Sequence, residues 1–297
     1  MQIKYKTIES FNNLKVFNKI NLKLPLDKQI DTVGKLPPIP NYEKHLMIID
    51  KNDDSNNWMQ GWGSRLEMND SWPYNLVGLF KNEINKYKKN GVMTSVVKLK
   101  QSTDVFTEIR GNPTNDSALI YVIPDMKLYT IRNDESTAVE FIKYVIKDLK
   151  VSEQLHFQDY LKKGGLKTPT VTKADSIVGV TKRFEGRKLT NDWILVCGHN
   201  ERDCRCGYLA PLLVDEYMKF DKRSNIGIIS HVSGHKFAGN VIHYKYEPSK
   251  NSMDSFWFGR VLPPMVHSLV ENLKNNIVIK NVFRGSKELR EPPCQKQ

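Results

Sequence analysis

Apolar positions along this chain recur with two different periods, and the alternation between them predicts an α/β protein. Residues 45–50 form a compact apolar stretch of the kind a buried strand requires. Over 75–89, Leu76, Leu79, Phe80 and Ile84 share one face of a predicted helix, and β-branched residues over 92–99 return the pattern to a strand. The run 118–131 reads as two strands, because Pro124 and Asp125 interrupt it with a turn signal. Val139, Phe141, Ile142 and Val145 then supply the inner face of a helix over 137–149.

The second half repeats this rhythm. Strands are predicted at 177–180, 192–197, 225–230, 240–246 and 255–261. A helix over 209–220 places Leu212, Leu213 and Tyr217 inward, and a closing helix over 263–275 begins at proline. Between the halves, 162–175 carries the breakers Gly164, Gly165 and Pro169. The expected organisation is a basic leader at 1–37, an α/β domain at 38–165, a second α/β domain with a mixed sheet at 176–285, and a polar tail at 286–297.

A chain of 297 residues can bury a sizeable core, and no apolar run approaches the roughly 20 residues that span a bilayer, so no membrane insertion is expected. The formal charge of +12 comes largely from lysine and draws any polyanion without specificity. No zinc-finger spacing, ribonucleoprotein motif or arginine-rich arm accompanies it, so no nucleic-acid partner is expected. The first 26 residues carry Lys4, Lys6, Lys15, Lys19 and Lys23 against Glu9 alone, with Phe11, Leu14, Phe17 and Ile20 roughly at helical spacing. It has the basic, acid-poor character of a mitochondrial presequence, though without arginine; an ordinary amphipathic N-terminus is the competing reading.

Candidate chemistry lies in the second half. Cys197 and Cys206 are followed by His231 and His235, and both pairs are predicted just beyond strand ends, where the loops of open sheets collect function. Thiolate with imidazole suits zinc or an iron–sulfur cluster, whereas magnesium or calcium would take oxygen ligands. Zinc cysteines are usually two to four residues apart, and eight residues separate this pair, a loop wide enough to wrap something larger than one ion. A [2Fe–2S] cluster with two thiolates on one iron and two imidazoles on the other fits the set; a structural zinc site and a thiol–disulfide role remain alternatives. Cys204 is a further thiol in the loop, and Cys294 lies alone in the tail. Arg202 and Arg205 could stabilise added negative charge, and His199 reads as a loop or capping residue. Gly207, Gly234 and Gly239 are expected to permit tight backbone approach.

The segments Val196-Cys-Gly-His-Asn-Glu-Arg-Asp-Cys-Arg-Cys-Gly207, Ser230-His-Val-Ser-Gly-His-Lys-Phe-Ala-Gly-Asn-Val-Ile242 and Trp257-Phe-Gly-Arg-Val261 resemble the sucrase/ferredoxin-like family of thioredoxin-like ferredoxins. The resemblance runs from about Pro38 to Gly285. It implies a thioredoxin-like C-terminal domain that binds a [2Fe–2S] cluster through Cys197, Cys206, His231 and His235. It also implies a mitochondrial, redox-linked role with electron donor and acceptor proteins that the sequence does not name. Cys204 is not a position the family motif requires.

Overall fold

In the computed structural model, which describes residues 4–6, 13–51, 61–111, 116–149 and 184–290, one ten-stranded mixed sheet takes strands from both halves of the chain. The chain opens with β1 (Lys4–Lys6) and α1 (Asn13–Asn21). The first half continues through β2 (Lys44–Ile49), α2 (Asn75–Lys86), β3 (Val92–Gln101), α3 (Val105–Gly111), β4 (Ser117–Ile123), β5 (Lys127–Arg132) and α4 (Glu135–Ile146). The second comprises β6 (Gly186–Lys188), β7 (Trp193–Cys197), α5 (Cys204–Phe220), β8 (Asn225–Ile229), β9 (Val241–Glu247), β10 (Ser252–Phe258), α6 (Val266–Lys274), β11 (Ile277–Ile279) and β12 (Phe283–Arg290).

Strand order is β12-β10-β9-β7-β8-β3-β2-β4-β5-β6, so the halves do not part at the sheet. In each half two parallel strands flank a helix, two antiparallel strands follow, and a second helix closes the unit. The units meet where β3 pairs antiparallel with β8, Val97 opposite Ile229. At the level of the sheet the two units share one set of backbone hydrogen bonds. The predicted boundary at 162–175 and the strand at 177–180 lie outside the described residues. Strands β2, β4, β7, β8 and β10 are buried at every position, as continuous apolar runs covered on both faces should be.

Three expectations change. The cysteine loop is shorter than its spacing indicated: α5 begins at Cys204, because the Asp203 carboxylate caps it by accepting the Arg205 N–H at 3.0 Å. Leu209, Leu213 and Tyr217 face the core, and Leu212 points outward at 41% exposure, so the inner face is rotated from the predicted one. Residues 286–290 belong to β12, which pairs with β10 at the sheet edge rather than opening a polar tail.

The leader is integral to the fold. Phe17, Ile20, Leu24 and Ile30 are buried in the common core, and β1 pairs in parallel with β11. Arginines of the C-terminal half grip the carbonyls that follow: Arg205 donates to Gln29 O, Arg260 to Asp31 O and Gly34 O, and Arg284 to Pro37 O and Pro38 O. These contacts make residues 17–38 a strap anchored to the rest of the fold.

His45 and His243 are core residues. His45 lies between Tyr244 Oη at 2.8 Å and Ser95 Oγ at 3.1 Å, and His243 meets Tyr217 Oη at 3.0 Å. Burial pushes His45 down to about 3 and His243 to about 4, with the Asp221 charge opposing the shift on His243. Both folded values lie below the unfolded value of about 6.5, so between them the unfolded chain binds more protons. Stability is therefore full above about pH 6.5 and falls by about 1.4 kcal/mol per pH unit for each imidazole as the pH drops toward 4. Urea unfolding across that window, with His45→Gln and His243→Gln each flattening the slope, checks this.

Candidate functional site

The parallel pair β7 and β8 sets out the site. Their carboxyl ends lie side by side, Cys197 opposite Ile229, so Cys197 and the His231 loop leave the sheet at the same edge. The Cys197 N–H donates to Asn240 O at 2.9 Å and the Gly198 N–H to Ile229 O at 3.0 Å, which fixes the strand end. The chain then turns into α5, whose first turn carries Cys206. Both Cys197 and Cys206 are fully buried.

A hydrogen bond from Cys206 holds the Cys197 thiol well below its ordinary range, His231 adds to that shift, and Cys206 is correspondingly raised. The His231 and His235 rings lie 5.1 Å apart between centroids. The Nδ1 atom of each is buried with no hydrogen-bond partner. Burial also lowers the His235 pKa, keeping its ring neutral and its lone pair free.

Two glycines are required by this geometry. Gly234, between the histidines, has φ +82°, and an added Cβ would lie 3.0 Å from Arg284 Nη1. Gly207 packs α5 against Asn200, where a Cβ would fall 2.1 Å from Oδ1. Gly234→Ala is expected to destabilise the protein by about 1–2 kcal/mol through the left-handed backbone, with loss of the His231–His235 arrangement. Thermal unfolding and the histidine ring signals in NMR measure the two effects separately.

Two arginines beside the pairs have defined partners. Arg205 is buried on Asp203, with Nε–Oδ1 at 2.8 Å and Nη2–Oδ2 at 2.7 Å. Burial works to raise the Asp203 carboxyl, and the Arg205 contacts outweigh it. Arg284 donates to Asn240 Oδ1 at 2.9 Å and to Ser233 O at 3.3 Å; burial lowers its guanidinium to about 10, opposed by the Cys197 charge. Arg202 is exposed. Cys204 is half-buried in the first turn of α5, and Cys294 lies outside the described residues.

A profile of the sucrase/ferredoxin-like family matches residues 36–285, which contain all four candidate ligands. This chain belongs to the sucrase/ferredoxin-like family. The proteins it resembles include "Altered inheritance of mitochondria protein 32" of Saccharomyces kudriavzevii, 38% identical over 272 residues, covering 88% of this chain and 82% of the relative. The protein of the same name from Eremothecium gossypii is 33% identical over 276 residues, covering 89% and 85%. That of Saccharomyces cerevisiae S288c is 34% identical over 277 residues, covering 90% and 85%. No solved structure matches.

In this sucrase/ferredoxin-like chain the cysteine pair and the histidine pair emerge from one sheet edge. Among the described residues no three His, Cys, Asp or Glu side chains group as ligands of a single ion would. His199 has a role that sequence reasoning missed. It is 3% exposed, its Nδ1 accepts the His231 N–H at 3.3 Å, and its Nε2 meets Gly63 O at 3.0 Å. Trp62 packs edge-on against the same ring at 5.9 Å. His199 therefore pins the histidine loop to the N-terminal unit, a contact across 136 residues that no local pattern signals. Trp257 and Phe258 are fully buried core side chains.

Proposed function

We propose that this chain holds a [2Fe–2S] cluster between Cys197, Cys206, His231 and His235 and serves as an electron carrier in the mitochondrion. The observation that carries the reading is the pair of buried, unpartnered imidazole Nδ1 atoms on the loop that leaves the same sheet edge as Cys197, with two fully buried thiols beside it in sequence and fold. A buried imidazole nitrogen without a partner is costly, and coordination would satisfy both at once. Separate cysteine and histidine pairs suit two irons, each taking two protein ligands; a closed zinc site would draw four side chains onto one point. The strand order of the C-terminal unit supports the thioredoxin-like reading, and the relatives' printed name supports the mitochondrial one.

A bound cluster would supply one-electron chemistry. The protein's part follows from its own residues: the sheet edge sets out the ligands, and His199, packed on Trp62, holds the backbone of His231. Arg284 places positive charge near Cys197, where it would favour added negative charge. The electron donor and acceptor would be other proteins.

The lowered Cys197 beside a raised Cys206 also resembles a nucleophilic and a resolving thiol, the mark of a thiol–disulfide protein. Full burial of both cysteines argues against access by a protein disulfide, and that mechanism leaves both histidines without a purpose. Anaerobic purification should yield near-equal iron and sulfide at about two of each per chain. Cys197→Ser and Cys206→Ser should abolish the bound iron, the sulfide and the visible spectrum, His231→Ala should shift or abolish the spectrum, and Cys204→Ser should leave iron content unchanged. Zinc alone, or metal-free thiols that cycle to a disulfide, would replace this reading with one of its rivals.

A further inference from the structure

Beside the site, the strap and the start of α5 enclose a groove of about 430 Å³. Leu24 and Pro25 line it from the strap, and Cys204, Gly207, Tyr208 and Leu212 from α5. Cys204 and Gly207 flank Cys206 on both sides in the same helical turn, so whatever fills the groove comes close to the proposed cluster ligands. The groove is open and apolar, and apolar side chains around it face solvent: Leu22 is 83% exposed, Leu26 95%, Leu212 41% and Tyr208 36%. Clustered exposure of this kind marks an interaction surface rather than scattered surface leucines.

Charge identifies the occupant. Lys15, Lys19, Lys23 and Lys28 are exposed along the strap, and Asp27 is the lone acid between residues 13 and 30. On the helix side Glu201 and Arg202 cancel and exposed Asp215, one turn beyond Leu212, leaves a single negative charge, so the basic border is the strap's. The surface is thus an apolar slot with a basic border, and it lies on a chain of net charge +12. A concave slot fits a protruding side chain better than it fits a flat lipid surface. The lysine border would steer and orient a carboxylate-bearing partner.

We propose that this groove is the docking site for an acidic protein that inserts an apolar side chain framed by carboxylates. This rests on the electron-carrier reading only for its purpose, which is to bring the partner to the cluster edge; the surface itself is independent of metal. Leu212 is central because it is the outward-facing leucine of α5 at the groove wall. Lys23 is central because it lines the groove and heads the basic border.

The test uses the full chain and three fluorescent dodecapeptides: an Asp/Glu-rich peptide with a central Trp-Leu pair, the same peptide with Ala-Ala at the centre, and a Lys-rich version with Trp-Leu. Anisotropy should show the first binding at least about 10-fold more tightly than the other two, and the difference should shrink as salt is raised. Lys19→Glu/Lys23→Glu and Leu212→Asp should each weaken it by about 10-fold, whereas Lys143→Glu/Lys147→Glu on α4 should change it less than about 2-fold. If the α4 pair weakens binding as much as the strap pair, net charge alone is responsible and the groove is not the site. If Leu212→Asp leaves the peptide unaffected but releases the protein from phosphatidylserine vesicles, the face meets a membrane and the proposal fails. Iron and sulfide are measured on every variant, so absence of a cluster would overturn the preceding function while leaving this binding result interpretable.

Discussion

Asp203→Ala is expected to lower the unfolding free energy by about 4–6 kcal/mol, combining the loss of a helix N-cap, near 1 kcal/mol, with the 3–5 kcal/mol typical of leaving a buried charge unpaired. The Arg205 side chain is 8% exposed and that of Asp203 4%, so water replaces little of the lost contact. The guanidinium would keep only its bond to Gln29 O. Asp203→Asn should fall between alanine and wild type, because its side-chain oxygen still caps α5 while its charge is gone. Arg205→Met should also destabilise, because it leaves the buried Asp203 carboxylate without its ion-pair partner, and should be milder than Asp203→Ala by the helix cap that Asp203 keeps through the residue 205 N–H. Urea unfolding of the three variants checks the order. A change below 1 kcal/mol for Asp203→Ala would mean that the pair does not hold the start of the helix. The consequence reaches the site directly, because Cys206 lies in the turn that this cap begins.

Deleting residues 1–37 should prevent the chain from accumulating as a soluble folded monomer. The deletion removes four buried apolar side chains, Phe17, Ile20, Leu24 and Ile30, at roughly 1.5–3 kcal/mol each. That gross loss, about 6–12 kcal/mol before the entropy recovered from ordering the strap, is comparable to the whole net stability of a typical domain. It also takes away the carbonyls that Arg205, Arg260 and the Arg284 Nε now occupy, and uncovers the core beneath them. Expression and circular dichroism of the truncated chain provide the test. A truncated protein that melts at the wild-type temperature would show the strap to be peripheral and would restore the view of the leader as a detachable segment.

The elements with strong apolar periodicity were legible from residues alone: β2, β3, β4, β5, β7, β8, β9, α2 and α4 all fall where the pattern placed them, within a few residues. The elements that escaped were those whose stability comes from partners elsewhere in the chain. Strand β12, Phe283–Arg290, alternates weakly and is rich in charge, and it is a strand because β10 offers it a free edge. The start of α5 was missed because Cys204, Arg205 and Cys206 carry no helical periodicity, and the Asp203 cap decides the matter. Leu212 was placed inward because a leucine beside Leu213 fits either helical phase, and packing of Leu209, Leu213 and Tyr217 chose between them.

The sequence by itself determined which residues carry the candidate chemistry, the family to which the chain belongs, and the alternation of strand and helix, since these depend on residue type and short-range spacing. Only the tertiary structure decided that the two halves share one sheet, that the basic leader straps the site, and that His199 joins the histidine loop to the N-terminal unit. Those features rest on hydrogen bonds and burial between residues far apart in the chain, such as Val97 with Ile229, Gln29 with Arg205 and Gly63 with His199. Hydrophobic contact and backbone pairing are selected by what meets in space, and a one-dimensional pattern records only which faces need covering, not what will cover them.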